Sequence, residues 1–352
     1  MSSKWLGVDH ESYWGPPITE ALFDLVQSAK ANCFREHTQI QLWLTNEDYF
    51  AHGKYQDALK NTLMAWTKAR NIHVILAPMG YFTWGDRNEK ASIIVNENGL
   101  GDLYIDALVD MVRKLAPSAI HILNEAPAVG YTQFSGVYTP AQWFSLYRDF
   151  VVKAVNRLVA VKPDILCHVG SAPYYEPLLL LDNPIPRNNI VYVIHTYYFD
   201  YYSNGAVNAD SGSWSPRYYN GDLIQAKLDL EADLLSVVSR FKAANLPLVI
   251  EEAGAKSTLP NYLVFMYDLY DICRRHTLGI IHHSFTTDPP IPFGLFNQQY
   301  QLNDMGNLWF AESSKEPSTP TPPTVSNILL PLAVLTGAII IGLVLKRKGE
   351  KK

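Results

Sequence analysis

Cysteine is scarce in this 352-residue chain, with three residues at Cys33, Cys167 and Cys273. They are too few and too widely spaced for a zinc ribbon or a disulfide-stapled scaffold, so the fold must rest on a hydrophobic core. Charge is sparse too: 18% of residues are Asp, Glu, Lys or Arg against 48% apolar, which excludes a disordered polyampholyte. A basic body is missing. The chain sums to −5, and its last seven residues carry five positive charges and one negative, so everything before them is more acidic still. Nucleic-acid binding needs cations that displace the counterions of phosphate, and this body has no surplus of them. A phosphate-cradling glycine loop is also lacking, because Gly99-Leu100-Gly101 has neither a third glycine nor a strand before it. A doubly wound dinucleotide fold thereby loses its main support. Near the N-terminus Lys4, Asp9, His10 and Glu11 interrupt any apolar run, and no secretory signal is legible there.

One long apolar run is present. Eighteen residues from Ile328 to Leu345 carry no charge, and Lys346-Arg347-Lys348 follows at once. At 1.5 Å per residue a helix of that length spans about 27 Å, close to the hydrocarbon thickness of a bilayer. The reading is a membrane-spanning helix over 328–345 and a basic cytoplasmic tail over 346–352. Residues 313–327 include Pro317, Pro320, Pro322 and Pro323 among Ser and Thr, a composition that stays extended and reads as a stalk. The positive-inside tendency then places residues 1–312 outside the cell. Without a visible signal, either an export signal lies outside this sequence or the protein is tail-anchored with its body inside. A stalk favours the first.

The body alternates short β-rich apolar runs with amphipathic stretches. Strand candidates are Trp5–Asp9, Asn32–Glu36, His73–Pro78, Ala119–Leu123, Ile165–Gly170, Ile190–His195, Leu246–Ile250 and Gly279–Ser284. Helix candidates lie at 17–30, 54–70, 102–115, 140–161, 174–181, 221–244 and 258–276, with Pro140 and Pro260 where a helix start tolerates proline. This order predicts an α/β fold, a (β/α)₈ barrel over residues 1–312. In such a barrel, chemistry sits where strands end. Those ends carry Asp9 and His10, then Arg35, Glu36 and His37, then Asn124 and Glu125, His195 and Tyr197, Glu251 and Glu252, and His282 and His283. Carboxylates facing each other across a barrel mouth are what glycoside cleavage requires, one giving a proton and one attacking. Strand alternation lets only one of Glu251 and Glu252 face the mouth. It also lets only one of His282 and His283 join Asp9 or His10 in a metal site, the basis of an alternative reading as a metal-dependent hydrolase. Trp14, Trp84 and Trp214 in loops are candidate sugar-stacking platforms or plain packing plugs.

With Asn124-Glu125-Ala126-Pro127 after strand four and Glu252-Ala253-Gly254 after strand seven, the chain resembles glycoside hydrolase family 5, the cellulase-like family of Asn-Glu barrel glycosidases. Arg35 after strand two and His195-Thr196-Tyr197 ending strand six match further parts of that pattern. The resemblance runs from residue 5 to about 310. It implies a retaining β-glycosidase without cofactor or metal, acting on an oligo- or polysaccharide, a β-1,4-glucan first and mannan next. Glu125 would be the general acid/base and Glu252 the nucleophile; Arg35 and Tyr197 would hold Glu252 ionised, and Asn124 would bond the sugar 2-hydroxyl. Glu125 is expected to be raised by partial burial and its anionic neighbour. Two departures stand out: Ala77-Pro78-Met79-Gly80 replaces a strand-three histidine, and His283 falls where a strand-eight tryptophan would floor the sugar site. The second motivates another alternative, a surface protein that binds glycans without cleaving them.

Overall fold

The computed structural model describes residues 6–10, 19–48, 53–79, 87–170, 177–198, 219, 221–284, 294–296 and 301–315. Eight parallel strands close into a barrel in sequence order. They are β1 (Leu6–His10), β2 (Cys33–Gln39), β3 (His73–Met79), β4 (Ala119–His121), β5 (Leu166–Val169), β6 (Ile190–Tyr198), β7 (Leu248–Ala255) and β8 (Gly279–His283). Both faces of these strands are covered, which is why they read as near-continuous apolar runs. Outward-facing Val8, Phe34, Leu76, Ile120, Ile250 and Ile280 join the main core under the helices. Inward-facing Cys33, Ile75, Ala119 and Ile281 form one apolar plug and Val191, Val193 and Val249 a second, with Leu166 touching both. The lower lumen is thus filled by apolar side chains. Gly7 lets β1 approach β2 there, since a Cβ on it would lie 2.4 Å from the Cys33 carbonyl oxygen and sulfur.

The helix Pro140–Val161 begins where its residues dictate: Thr139 accepts from the Gln142 amide, the Gln142 side chain accepts from the Thr139 amide, and Pro140 opens the first turn. The run expected as one helix over 54–70 is broken by a wide turn at Leu59–Met64. Helices Ile40–Thr45, Arg87–Ile94 and Asp304–Ser313 were not in the sequence pattern. The last of these corrects a boundary: Trp309 and Ser313 are buried, and Arg274 donates to Glu312 at 2.7 Å, so the packed body extends past 312 to Lys315. All three cysteines are free and buried. Among the described residues no helix is long and apolar enough to cross a membrane. The stalk beyond Lys315, the expected span at 328–345 and the basic tail at 346–352 lie outside the described residues, as do Trp14, Trp84 and Trp214.

A chain ending after Lys315 is expected to fold, with the same thermal midpoint and the same activity as the full chain, because the body completes its core by that point. Differential scanning calorimetry on both forms checks this; a truncated chain that no longer unfolds cooperatively would mean that residues 316–352 pack on the barrel.

Candidate active site

Above the apolar plug the lumen becomes polar. Seven strands send charged or titratable side chains into it, and at their centre lies Arg35 of β2, fully buried. Its Nη1 donates to Asp9 Oδ2 at 2.7 Å and lies 2.8 Å from Glu252 Oε1; Nη2 donates to Asn124 Oδ1 at 2.8 Å; Nε faces Glu251 Oε1 at 3.4 Å. A buried guanidinium cannot shed its proton, so it is tolerable only with this many acceptors around it.

The expectation that only one of Glu251 and Glu252 can point inward is overturned. Opposite β6, Ile250 pairs with Ile194 and Glu252 pairs with His195, so Glu251 is an extra residue with no partner in the register. The slip recurs against β8, between Ile250 and Ala253. Such a bulge breaks the alternation of faces and re-aims a side chain. Both carboxylates therefore enter the lumen, Glu251 below Glu252. Alternation does hold on β8: His282 turns outward to the Tyr270 hydroxyl at 2.6 Å, and His283 turns in.

Glu252 is 3% exposed. It accepts from the Tyr197 hydroxyl and lies 3.1 Å from His195 Nδ1 and 3.4 Å from His37 Nε2. Burial pushes its carboxyl up, but His195, Arg35, His37 and His283 together hold it well below the usual carboxylate range. Burial and the same carboxylate drive the Tyr197 phenol far above its ordinary value, so it remains a donor. Glu251 is sealed from solvent and accepts from Nδ1 of His121 and, at 2.7 Å, from Nδ1 of His168. A carboxylate only accepts, so both imidazoles must donate. Burial lowers His121 to about 4 in spite of Glu251, which makes it a neutral donor at ordinary pH.

Glu125 follows β4 at a turn with φ 49°, the left-handed region that a non-glycine residue enters only at some cost. The turn is held from behind, where Lys90 of the helix Arg87–Ile94 donates to the Asn124 carbonyl at 2.7 Å. Its side chain is 41% exposed and faces His195 Nδ1 at 3.3 Å. Oxygens of Glu125 and Glu252 and a nitrogen of His195 all lie within 4.8 Å of one another. One imidazole edge thus bridges the two carboxylates. Burial and Glu252 push the Glu125 carboxyl up, yet the His195 bond prevails and leaves it below its ordinary value. The expected elevation is therefore absent, because an imidazole lies between the two anions.

On the opposite wall Asp9 Oδ2 also takes bonds from His37 Nε2 at 2.9 Å and His283 Nδ1 at 2.8 Å. Asp9, His37 and His283 offer donor atoms close enough for a metal, as do Glu125, His195 and Glu252. Neither set suits one: Arg35 stands 2.7 Å from Asp9 and 2.8 Å from Glu252, so a divalent cation would sit against a permanent positive charge. The structure brings Arg35, Asn124, Glu125, His195, Tyr197, Glu252 and His283 together at the strand ends. Asp9, His37 and Glu251 stood at strand ends in the sequence without a role in the glycosidase reading, and His121, His168 and Lys90 were not anticipated. The inward register of β1, β2, β4 and β5 would have found all but Glu251, which needed the bulge, and Lys90, whose helix has a weak apolar pattern.

The family described as cellulase (glycosyl hydrolase family 5) matches residues 2–270. Solved structures share the fold at low identity. An endocellulase from the archaeon Pyrococcus horikoshii is 15% identical, with 88% of this chain and 92% of that one covered and a TM-score of 0.66. A cellotetraose complex of an endocellulase from the same organism has 14% identity, 88% and 92% coverage and a TM-score of 0.63. A broad-specificity endoglucanase from Clostridium acetobutylicum has 14% identity, 89% and 97% coverage and a TM-score of 0.63. No curated protein matches the chain.

The wall around Asp9 makes a pH prediction. Burial lowers His37, but Asp9 outweighs it, and the imidazole rises from 6.5 to about 10. A raised folded-state value means proton uptake on folding: the stabilisation is full below pH 6.5 and is lost as pH climbs through 10. Wild type should exceed His37→Gln by a few kcal/mol, on the order expected for such a shift, at pH 6, with the gap closing toward pH 10. Urea unfolding of both across that window checks it; a gap that stays constant or widens with pH would contradict the assignment.

Proposed function

The chain belongs to the cellulase family, glycosyl hydrolase family 5, and we propose that it hydrolyses internal β-1,4 bonds of a glucan chain by double displacement. The observation that carries this reading is the carboxylate pair, with oxygens of Glu125 and Glu252 within 4.8 Å of each other. Retaining enzymes hold their carboxyl groups about 5–5.5 Å apart, whereas inverting ones need about 6.5–9.5 Å to admit a water between them.

Glu252 has the surroundings of a nucleophile. It is buried, ionised and aimed by Arg35, His195 and the Tyr197 hydroxyl. Attack on the anomeric carbon forms the C–O bond of a glycosyl ester while the aglycone oxygen departs with a proton. Glu125 supplies that proton and afterwards takes one from the incoming water. Without substrate, the His195 contact favours the charged form of Glu125. A sugar ring over its 41% exposed side chain removes water from it, and desolvation favours the neutral acid. Asn124, with its Oδ1 bonded to Arg35 and its Nδ2 turned to Met79 Sδ at 3.6 Å, would donate from Nδ2 to the sugar 2-hydroxyl, a contact that strengthens as positive charge develops on the ring.

The glucan assignment draws on the family and on relatives whose titles name endocellulases and cellotetraose; mannan is the competing polymer, and soluble substrates of both kinds separate them. A glycan-binding protein without activity would have no use for a buried carboxylate held ionised by three donors, because desolvating such a cluster is costly. The metal-dependent alternative meets Arg35 at either triad; chelator should leave turnover unchanged.

Glu252→Ala should abolish turnover. Glu125→Ala should lower kcat/KM on unactivated glucans by about 10²–10⁴-fold while sparing glycosylation by substrates with good leaving groups. Azide should then yield a β-glycosyl azide from the Glu125 variant and an α-glycosyl azide from the Glu252 variant. NMR of the first-formed product decides the stereochemistry, and an α-anomer from wild type would contradict double displacement.

With His283, bonded to Asp9, in place of a flat indole, stacking next to the scissile bond is weak. Binding must then come from remote rings, so kcat/KM should climb with chain length through the pentamer. Equal efficiency on a disaccharide would replace the open cleft with an exo-acting pocket.

A further inference from the structure

Glu251 lies one residue from the proposed nucleophile and has no path to substrate. It is fully buried, beneath Glu252, at the extra position of the β7 bulge. A chain that merely needed to fill the lumen at this level could continue the apolar plug of Val191, Val193 and Val249 that lies directly below. Instead it places a carboxylate, two imidazoles and a guanidinium in one layer. Replacing such a cluster with packed apolar side chains is often neutral or stabilising, so stability alone gives little reason to keep it.

The geometry points to Glu251 as a positioning residue for the reaction, acting through Arg35, with His121 and His168 as its supports. This rests on the reading of Glu252 as nucleophile. The guanidinium is planar, and its two amino groups face upward and sideways to Asp9, Glu252 and Asn124. Those three acceptors belong to three different strands or their extensions, and each could draw the group toward itself. The remaining edge is Nε, and Glu251 Oε1 faces it at 3.4 Å, an ion-pair contact rather than a hydrogen bond. Glu251 in turn is held from the far side of the barrel by Nδ1 of His121 on β4 and Nδ1 of His168 on β5, adjacent in register. The layer therefore ties β2, β4, β5 and β7 through one carboxylate. It serves two ends. It sets the guanidinium plane so that Glu252 and Asn124 are presented to the same sugar ring. It also offsets part of the positive charge, so that Arg35 keeps Glu252 ionised without holding its electrons too tightly for attack.

The test compares Glu251→Gln with Glu251→Asp on a cello-oligosaccharide ladder across pH. Glutamine keeps the shape and loses the charge, so the full guanidinium charge falls on Glu252 and Asp9. Glu251→Gln should lose about ten- to a hundred-fold in kcat with KM changed less than about three-fold, since the misplaced contacts act in the transition state. Both limbs of the kcat/KM profile should move to lower pH by about half a unit or more, as removal of a nearby negative charge requires. Glu251→Asp, which keeps the charge, should restore the wild-type limbs and most of kcat. A stably folded Glu251→Gln with wild-type kcat and limbs would overturn the proposal, as would a loss of thermal midpoint alone. If Glu251→Gln does not fold, His168→Leu and His168→Asn take its place: leucine removes the donor and should show the same signature in smaller measure, asparagine keeps a donor and should not. Identical kinetics for those two and wild type would equally overturn it. Glu252→Ala run in parallel separates the failures, because an active Glu252→Ala sinks the nucleophile assignment itself, whereas an inactive one beside an unaffected Glu251→Gln sinks only the role of Glu251.

Discussion

The upper half of this barrel depends on one buried cation. Arg35 cannot be neutralised, and burying it without partners would cost several kcal/mol. Everything around it answers that cost. Asp9 from β1 and Glu252 from β7 share Nη1, Asn124 after β4 takes Nη2, and Glu251 from β7 faces Nε. Three carboxylates beside one cation leave an excess of negative charge, and the imidazoles take it up. His37, raised to about 10 by Asp9, is a second cation, while His121, lowered to about 4 by burial, is a neutral donor. The same residue type thus does opposite work within one lumen, according to which partner lies next to it.

Function sits on top of that scaffold. The lower lumen is an apolar plug that keeps water out from beneath, and low-dielectric walls strengthen every charge above it. Glu252 is the one carboxylate in the cluster that is both tightly held and adjacent to the open mouth. Glu125 stands at the mouth itself, half exposed, on a left-handed turn locked by Lys90. One carboxylate is deep and held toward its charged form; the other is shallow and, in the proposed mechanism, takes up a proton when substrate covers it. Two such unlike environments are what separate an attacking group from a proton donor.

Much of the fold was legible because barrel strands announce themselves as apolar runs between amphipathic stretches. All eight strands lie where those runs lie, and Pro140 opens its helix. The two carboxylates proposed to react were legible as candidates through Asn124-Glu125 and Glu252-Ala253-Gly254. What alternation could not deliver was Glu251, since a bulge is a property of three strands in register and leaves no mark in one. Nor could sequence reveal the depressed Glu125, which depends on an imidazole from β6 reaching between two anions. Lys90 escaped notice because the helix Arg87–Ile94 has its few apolar residues late and its charges early. Asp9, His37, His121 and His168 were visible as residues, but which of them meet in the lumen depends on how the strands pair.

The central claim is that Glu252, and neither Glu251 nor Glu125, forms a covalent bond to the sugar. Incubation with an activated 2-deoxy-2-fluoro cello-oligosaccharide, followed by peptide mass spectrometry, tests it most directly. The account predicts a single glycosyl adduct on the peptide of β7, localised by fragmentation to Glu252, with activity lost in step. An adduct on Glu251 or Glu125, or continued turnover with no adduct, would contradict it.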